Sequence, residues 1–227
     1  MIVIDPGHGG TVKVDGSSPN NATGPDGLLE KVVTLEVALR AVAALVAAGQ
    51  QVKLTRETDV NLGLRDRAAV AKAVAAPAFV SIHFNGDADN RVQGTETWTH
   101  SLASAASIAL ARIVQSHTVA ATGYRDRGVK AKVLGVLDPE SHDSHTAACL
   151  VEVSFLTDPK ENARLRDPAY LDTVGQAIAG GIQAYLATLP PTAMRRVAKR
   201  VEKRRRRRAR KIVSRSGRRP VRRKKKR

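Results

Sequence analysis

The charge of this 227-residue chain breaks sharply near Pro190-Pro191, and the break limits what can fold. From Arg195 to Arg227 there are 21 Lys or Arg residues against one acid, Glu202. Met1 to Met194 hold the other 17 bases and 20 acids, a net charge of −3. Like charges this dense repel each other, and the segment has little apolar surface to offset the entropy of ordering it. Residues 191–227 are therefore expected to be a disordered basic tail. Residues 1–190 must supply the whole core, as one domain. Aromatic residues are 3% of the chain while hydrophobic residues are 42%, so Ala, Val, Leu and Ile must do the packing.

Several classes drop out. Cys149 is the single cysteine, which excludes an intrachain disulfide framework and a cysteine-rich zinc module. The longest apolar stretch, around 41–49, is far shorter than the roughly 20 residues of a membrane span. No basic-then-apolar leader precedes the first strand, so a classical export signal is not expected in this chain.

Apolar runs with strand character alternate with helical ones. MIVID at 1–5 reads as a buried strand ended by Pro6-Gly7, and the Gly-, Asn- and Pro-rich stretch 9–27 as a long loop. A helix is expected over about 29–48, burying Val32, Leu35, Leu39, Val42 and Val46 at spacings of three and four. Strands follow at 51–55, 78–83, 94–98 and 148–153, with helices at 62–76, 102–121 and 169–186. This order predicts an α/β sandwich with a mostly parallel, twisted central sheet flanked by helices.

In such a sheet, ligands bind beyond the carboxyl ends of the strands. His8 follows the first strand, His83 ends FVSIH and Glu152 ends ACLVEV, so all three are expected there. Glu30, opening the first long helix, can join them, because the long loop returns the chain to the helix start. Two histidines and one carboxylate with an open fourth position make a catalytic zinc site, and a second carboxylate nearby can act as general base.

VIDPGHGG at 3–10, GPDGLLEK at 24–31, LTRETD at 54–59, SIHFN at 81–85, GTET at 94–97 and LVEVSFLTDP at 150–159 occur in that order. Together they resemble the zinc-dependent N-acetylmuramoyl-L-alanine amidases, cell-wall hydrolases of bacteria and their phages. The resemblance covers about residues 2–188. It implies one Zn2+ per chain held by His8, Glu30 and His83, with Glu152 as the catalytic base. It implies peptidoglycan as substrate, cut at the amide between N-acetylmuramic acid and the L-Ala of the stem peptide. The sequence departs from the family pattern in a longer loop between His8 and Glu30, and in Ser154-Phe155 and Thr157-Asp158-Pro159 of the last block. These departures bear on substrate preference.

Around this set, Asn85 and Glu96 are candidate substrate-binding residues. Arg56 and Arg67 are expected in structural ion pairs, Trp98 in the core, and Cys149 as a small buried apolar residue. His142 and His145 are expected as solvated loop histidines, with a second metal as the alternative. The tail has no aromatic residue to stack on bases, so it is expected to bind an anionic envelope surface, or nucleic acid without sequence preference. A missing leader and a cationic tail fit a phage-type endolysin acting on the cell wall. The alternative function is a non-catalytic amidase-like protein that binds wall or polyanion.

Overall fold

The computed structural model describes residues 1–190. The expectations for the basic tail, 191–227, lie outside the described residues. The strands are β1 (Ile2–Pro6), β2 (Val52–Leu54), β3 (Ala78–Asn85), β4 (Thr95–His100), β5 (Asp126–Lys132) and β6 (Ala147–Phe155). The helices are α1 (Glu30–Ala47), α2 (Leu64–Val74), α3 (Ala105–Thr122), α4 (Pro159–Arg164) and α5 (Pro168–Thr188), with a 3-10 turn at Gly135–Leu137. The strands form one six-stranded sheet in the order β2-β1-β3-β6-β4-β5. β2, β1, β3 and β6 are mutually parallel; β4 runs antiparallel to β6, and β5 parallel to β4. The sheet is thus mostly parallel and flanked by helices, as the sequence predicts. No helix among the described residues is long and apolar enough to cross a membrane.

Strand side chains alternate between faces, so each central strand feeds two cores. Ile2, Ile4, Val80, Ile82, Phe84, Cys149 and Val151 pack under α1, α3 and α5. Val3, Phe79, Ala148 and Leu150 face the other way, against Ala71 of α2 and Val136 and Leu137 of the 3-10 turn. A parallel sheet covered on both faces needs near-continuous apolar strands, and every residue of β1 is buried. Small residues let the helices approach closely: a Cβ on Gly181 of α5 would lie 3.1 Å from the Val114 Cα of α3.

Helix starts follow local chemistry. Asp158 and Asp167 each cap a helix through the side chain, and each is followed by a proline in the first turn. Ser104 caps α3 by accepting from the Ser107 backbone N–H, and Gly123, at φ 70°, ends it.

Three sequence expectations need correction. The buried stripe of α1 is Val33, Val37, Ala38, Ala41 and Leu45, whereas Val32, Leu39 and Val46 are 46%, 42% and 55% exposed. Apolar residues recur on two stripes of this helix, and the alanines of one permit the closer approach to the sheet. β5 and α4 were not expected. β5, DRGVKAK, is a polar edge strand whose charges suit an open sheet edge, and α4 is a short six-residue helix pinned by Asp158. His142 is buried, not solvated: its Nε2–H donates to the Val136 carbonyl at 2.9 Å, and its ring meets Phe79 edge-on at 4.8 Å. His145 is half-exposed and sits by Asp143 and Ser144.

Candidate metal centre

The face covered by α2 is thinner than the other, and the chemistry gathers at its C-terminal rim. His83 of β3 lies opposite Glu152 of β6, and Glu152 opposite Glu96 of β4. Residues directly opposite across a ladder point to the same face, so these three side chains stand in a row. Glu30 enters from the first turn of α1, where a carboxylate is favoured by the helix dipole. His8 follows β1 with φ 60°, a left-handed conformation that costs a non-glycine residue energy. Strain of this kind persists only where neighbours enforce it.

Two buried arginines do so. Arg67 of α2 donates to the carbonyls of Pro6 (2.8 Å), His8 (2.8 Å) and Leu62 (3.1 Å), to Asn61 Oδ1 and to the buried Asp5 carboxylate at 2.9 Å. Thr55 and Ser81 complete Asp5. Arg56 donates to the carbonyls of Pro6, Gly7, Lys31 and Thr58 and to Thr34 Oγ1. Arg67 is the expected ion pair; Arg56 instead binds carbonyl oxygens and a hydroxyl, and burial with the nearby Arg67 lowers its pKa to about 10. The loop from Gly7 to Leu29 is thereby held from beneath, and Asn61 ties down its far part through Val12 and Ser17.

The candidate metal-binding set is compact. One ligand atom from each of His8, Glu30 and His83 lies within 4.8 Å of the others. Glu30 Oε1 is 3.0 Å from His8 Nε2 and 3.0 Å from His83 Nδ1. His8 Nδ1 lies 3.0 Å from the Ser18 carbonyl, which accepts its proton, so in the neutral ring Nε2 is the nitrogen that offers a lone pair to a metal. Glu30 also accepts from the backbone N–H groups of Ala22 and Phe84. Burial would raise the Glu30 pKa, but hydrogen bonds from His8 and His83 bring it to about 2. Burial opposes charge on His8, yet Glu30 outweighs it and raises that imidazole above its ordinary value. Burial, aided by repulsion from His8, holds His83 below its ordinary value despite Glu30.

Glu152 is of another kind. Its Oε2 is buried and has no hydrogen-bond partner among the described residues. Burial, then the charges of Glu30 and Glu96, push its pKa well above the ordinary carboxylate value. A buried polar atom left unpaired is costly, and here it stands beside a two-histidine, one-carboxylate donor set. That set suits zinc, and the orphaned carboxylate is what a site built around a cation and a reacting water leaves unsatisfied.

Glu96 and Asn85 do not stand free in the cleft. Glu96 accepts from Asn85 Nδ2 (3.1 Å), Trp98 Nε1 (3.1 Å), Arg127 Nε (2.7 Å) and Lys130 Nζ (2.6 Å). Burial would raise its pKa, but Lys130 and Arg127 hold it below the usual range. Trp98 packs at the edge of the core beneath. Arg127 and Lys130 were not singled out from the sequence, because only the sheet order brings β5 beside β4. In the last sequence block, Ser154 donates to the buried Glu161, Thr157 Oγ1 accepts from the Asp87 N–H, and Asp158 caps α4.

Gly7 is required at the centre. A methyl group there would overlap the His83 ring. Gly7→Ala is expected to displace that ring and cut activity by about 10²-fold, with weaker metal retention. Metal content and activity, measured on protein of unchanged melting temperature, check this; wild-type values would mean His83 is not held against Gly7.

A carboxylate and two imidazoles converging on the rim of a mostly parallel α/β sheet, with a carboxylate beside them that has one oxygen buried and unpaired, define a candidate metallohydrolase centre. Residues 2–184 match the N-acetylmuramoyl-L-alanine amidase family, and the chain belongs to that family. It is 35% identical over 185 residues to the N-acetylmuramoyl-L-alanine amidase LytC of Bacillus subtilis, covering 81% of this chain and 35% of LytC. It is 32% identical to the endolysin of Bacillus phage SPP1, covering 82% of this chain and 66% of the endolysin. The chain thus spans about a third of LytC and about two thirds of the endolysin. Among solved structures, the catalytic domain of CwlV, an N-acetylmuramoyl-L-alanine amidase from Bacillus (Paenibacillus) polymyxa var. colistinus, is 34% identical. It aligns with a TM-score of 0.72 over 83% of this chain and 98% of that domain.

Proposed function

We propose that this protein is a zinc-dependent peptidoglycan hydrolase that cleaves the amide between N-acetylmuramic acid and the L-Ala of the stem peptide. The observation that carries the reading is the convergence of His8, Glu30 and His83 within 4.8 Å beside the unpaired Glu152. His8, Glu30 and His83 would hold the zinc. A zinc ion there supplies Lewis acidity, drawing charge from the scissile carbonyl and making water a better nucleophile. Glu152 takes the proton of the attacking water and delivers one to the leaving L-Ala amine. Its raised pKa in the metal-free site suits the return step, and a neighbouring cation would favour the ionised form needed for the first. Glu96 and Asn85 act on substrate through the residues they hold. The likeness to the phage SPP1 endolysin supports action on the cell wall as a lysin, and the basic 191–227 segment is assigned to an anionic envelope surface.

Metal content by mass spectrometry, run with wall-fragment release, tests the reading. One zinc per chain is expected, with release of new N-terminal alanine lost on chelation and regained with added zinc. Zinc without release on walls of different chemistry would leave the non-catalytic wall-binding alternative. On intact cells, deleting residues 192–227 is expected to lower activity while purified wall is still cut.

A further inference from the structure

Glu96 holds more positive charge than it needs. One cation would balance it; two are clamped on it, Arg127 at 2.7 Å and Lys130 at 2.6 Å on the same oxygen. Arg127 spends only its Nε–H, so its two terminal nitrogens have no hydrogen-bond partner among the described residues. Lys130 spends one of its three protons. Both remain partly exposed, at 29% and 34%. Each also rests on an aromatic ring: the Arg127 guanidinium 4.9 Å from the Phe155 centroid, the Lys130 ammonium 5.3 Å from that of Trp98. Clamped on Glu96 and resting on a ring through their charged heads, these long side chains have already lost much of the rotamer freedom that binding would otherwise cost. The unspent donors therefore form a pre-organised, singly positive anion seat.

The seat lies next to the chemistry. Glu96 stands opposite Glu152 in the ladder and on the same face, where paired side chains sit about 5 Å apart. The free donors are thus on the order of 10 Å from the Glu152 carboxylate, about three extended residues at about 3.3–3.6 Å each, or two once the gap between that carboxylate and the scissile amide is counted. A substrate bound with its scissile amide beside Glu152 would carry the residue after L-Ala toward the seat. In peptidoglycan that residue is a γ-linked D-glutamate, whose α-carboxyl is free in some walls and amidated in others. A planar guanidinium fork beside an ammonium matches a carboxylate and discriminates against an uncharged amide.

We propose that Arg127 and Lys130, positioned by Glu96, form a carboxylate subsite that reads the free α-carboxyl of the second stem residue; this rests on the amidase reading above. The test uses the full zinc-loaded chain and two purified walls that differ only in amidation of this group. Wild-type protein is expected to cut the free-acid wall at least tenfold more efficiently, through KM. Arg127→Gln, which leaves Lys130 to balance Glu96, is expected to lose at least tenfold more on the acid than on the amide, and Arg127→Lys to lose less. Equal losses on both walls, or no preference in the wild type, would overturn the subsite while leaving the amidase reading intact. A binding arm separates the two readings from the other side. L-Ala-D-Glu and its α-amide, both with the γ-carboxyl blocked as an amide, are titrated into zinc-loaded wild-type and Arg127→Gln protein. Tighter binding of the acid, lost in the variant, supports the subsite even if neither wall is cut, a result that would count against the amidase reading alone. Equal binding of the two dipeptides, or none of the acid, overturns it.

Discussion

A Glu152→Gln protein is expected to keep its zinc and lose turnover by about 10²–10⁴-fold. The substitution preserves shape and removes only the ability to take and return a proton. Metal retention follows from geometry, because the three converging ligand atoms belong to His8, Glu30 and His83. Loss of the metal together with activity would make Glu152 a ligand and overturn its role as base. The same variant carries a pH signature in chelated protein. The folded-state pKa of Glu152 is raised well above its ordinary value by burial and by the Glu30 and Glu96 charges. Between the ordinary and the raised value, the folded protein holds a proton that the unfolded chain releases, so wild-type stability falls as pH rises through that window. The amide of the Glu152→Gln variant cannot titrate, so the variant should gain stability over wild type with rising pH, by at most about 1.4 kcal/mol per pH unit. Denaturant melts at several pH values read this directly; parallel curves would show that Glu152 is not held neutral.

Arg67→Met is expected to be the most destabilising single change. It strips a buried carboxylate, Asp5, of its cation and removes the Arg67 donor from the carbonyls of His8 and Leu62, while Pro6 keeps Arg56. Breaking a buried pair from one side costs about 3–5 kcal/mol, which for a domain of this size lowers the melting temperature by roughly 10 °C. The effect should reach the metal, because the strained His8 turn loses the clamp beneath it. Adding Asp5→Asn should recover part of the stability by removing the unpaired charge, but not the metal affinity, because the His8 carbonyl still lacks its donor. A loss of under about 1 kcal/mol for Arg67→Met would show that Thr55 and Ser81 satisfy Asp5 alone.

The order of most strands and helices was legible because short apolar runs and 3.6-residue periodicity are local signals; β5 is polar and α4 is short, and neither carries such a signal. The residues of the candidate centre could be proposed because each sits near the end of its own element, where a strand or helix presents its terminal side chains to a shared rim. The motifs around His8, Glu30, His83 and Glu152 could therefore be read one at a time. The buried side of α1 was not legible. Two apolar stripes compete on that helix, and only packing against the sheet and α5 selects Val33, Val37 and Ala41 over Val32, Leu39 and Val46. His142 reads as a loop residue until the 3-10 turn and Phe79 close around it.

Sequence alone determined the donor chemistry and the class of fold, because both depend on residue type and short spacing. Tertiary structure decided which charges meet. The antiparallel turn of β4 beside β6 sets Glu96 opposite Glu152, and β5 at the edge then brings Arg127 and Lys130 onto it across more than 30 residues of chain. Contacts of that separation are fixed by strand order and register, which no local pattern encodes.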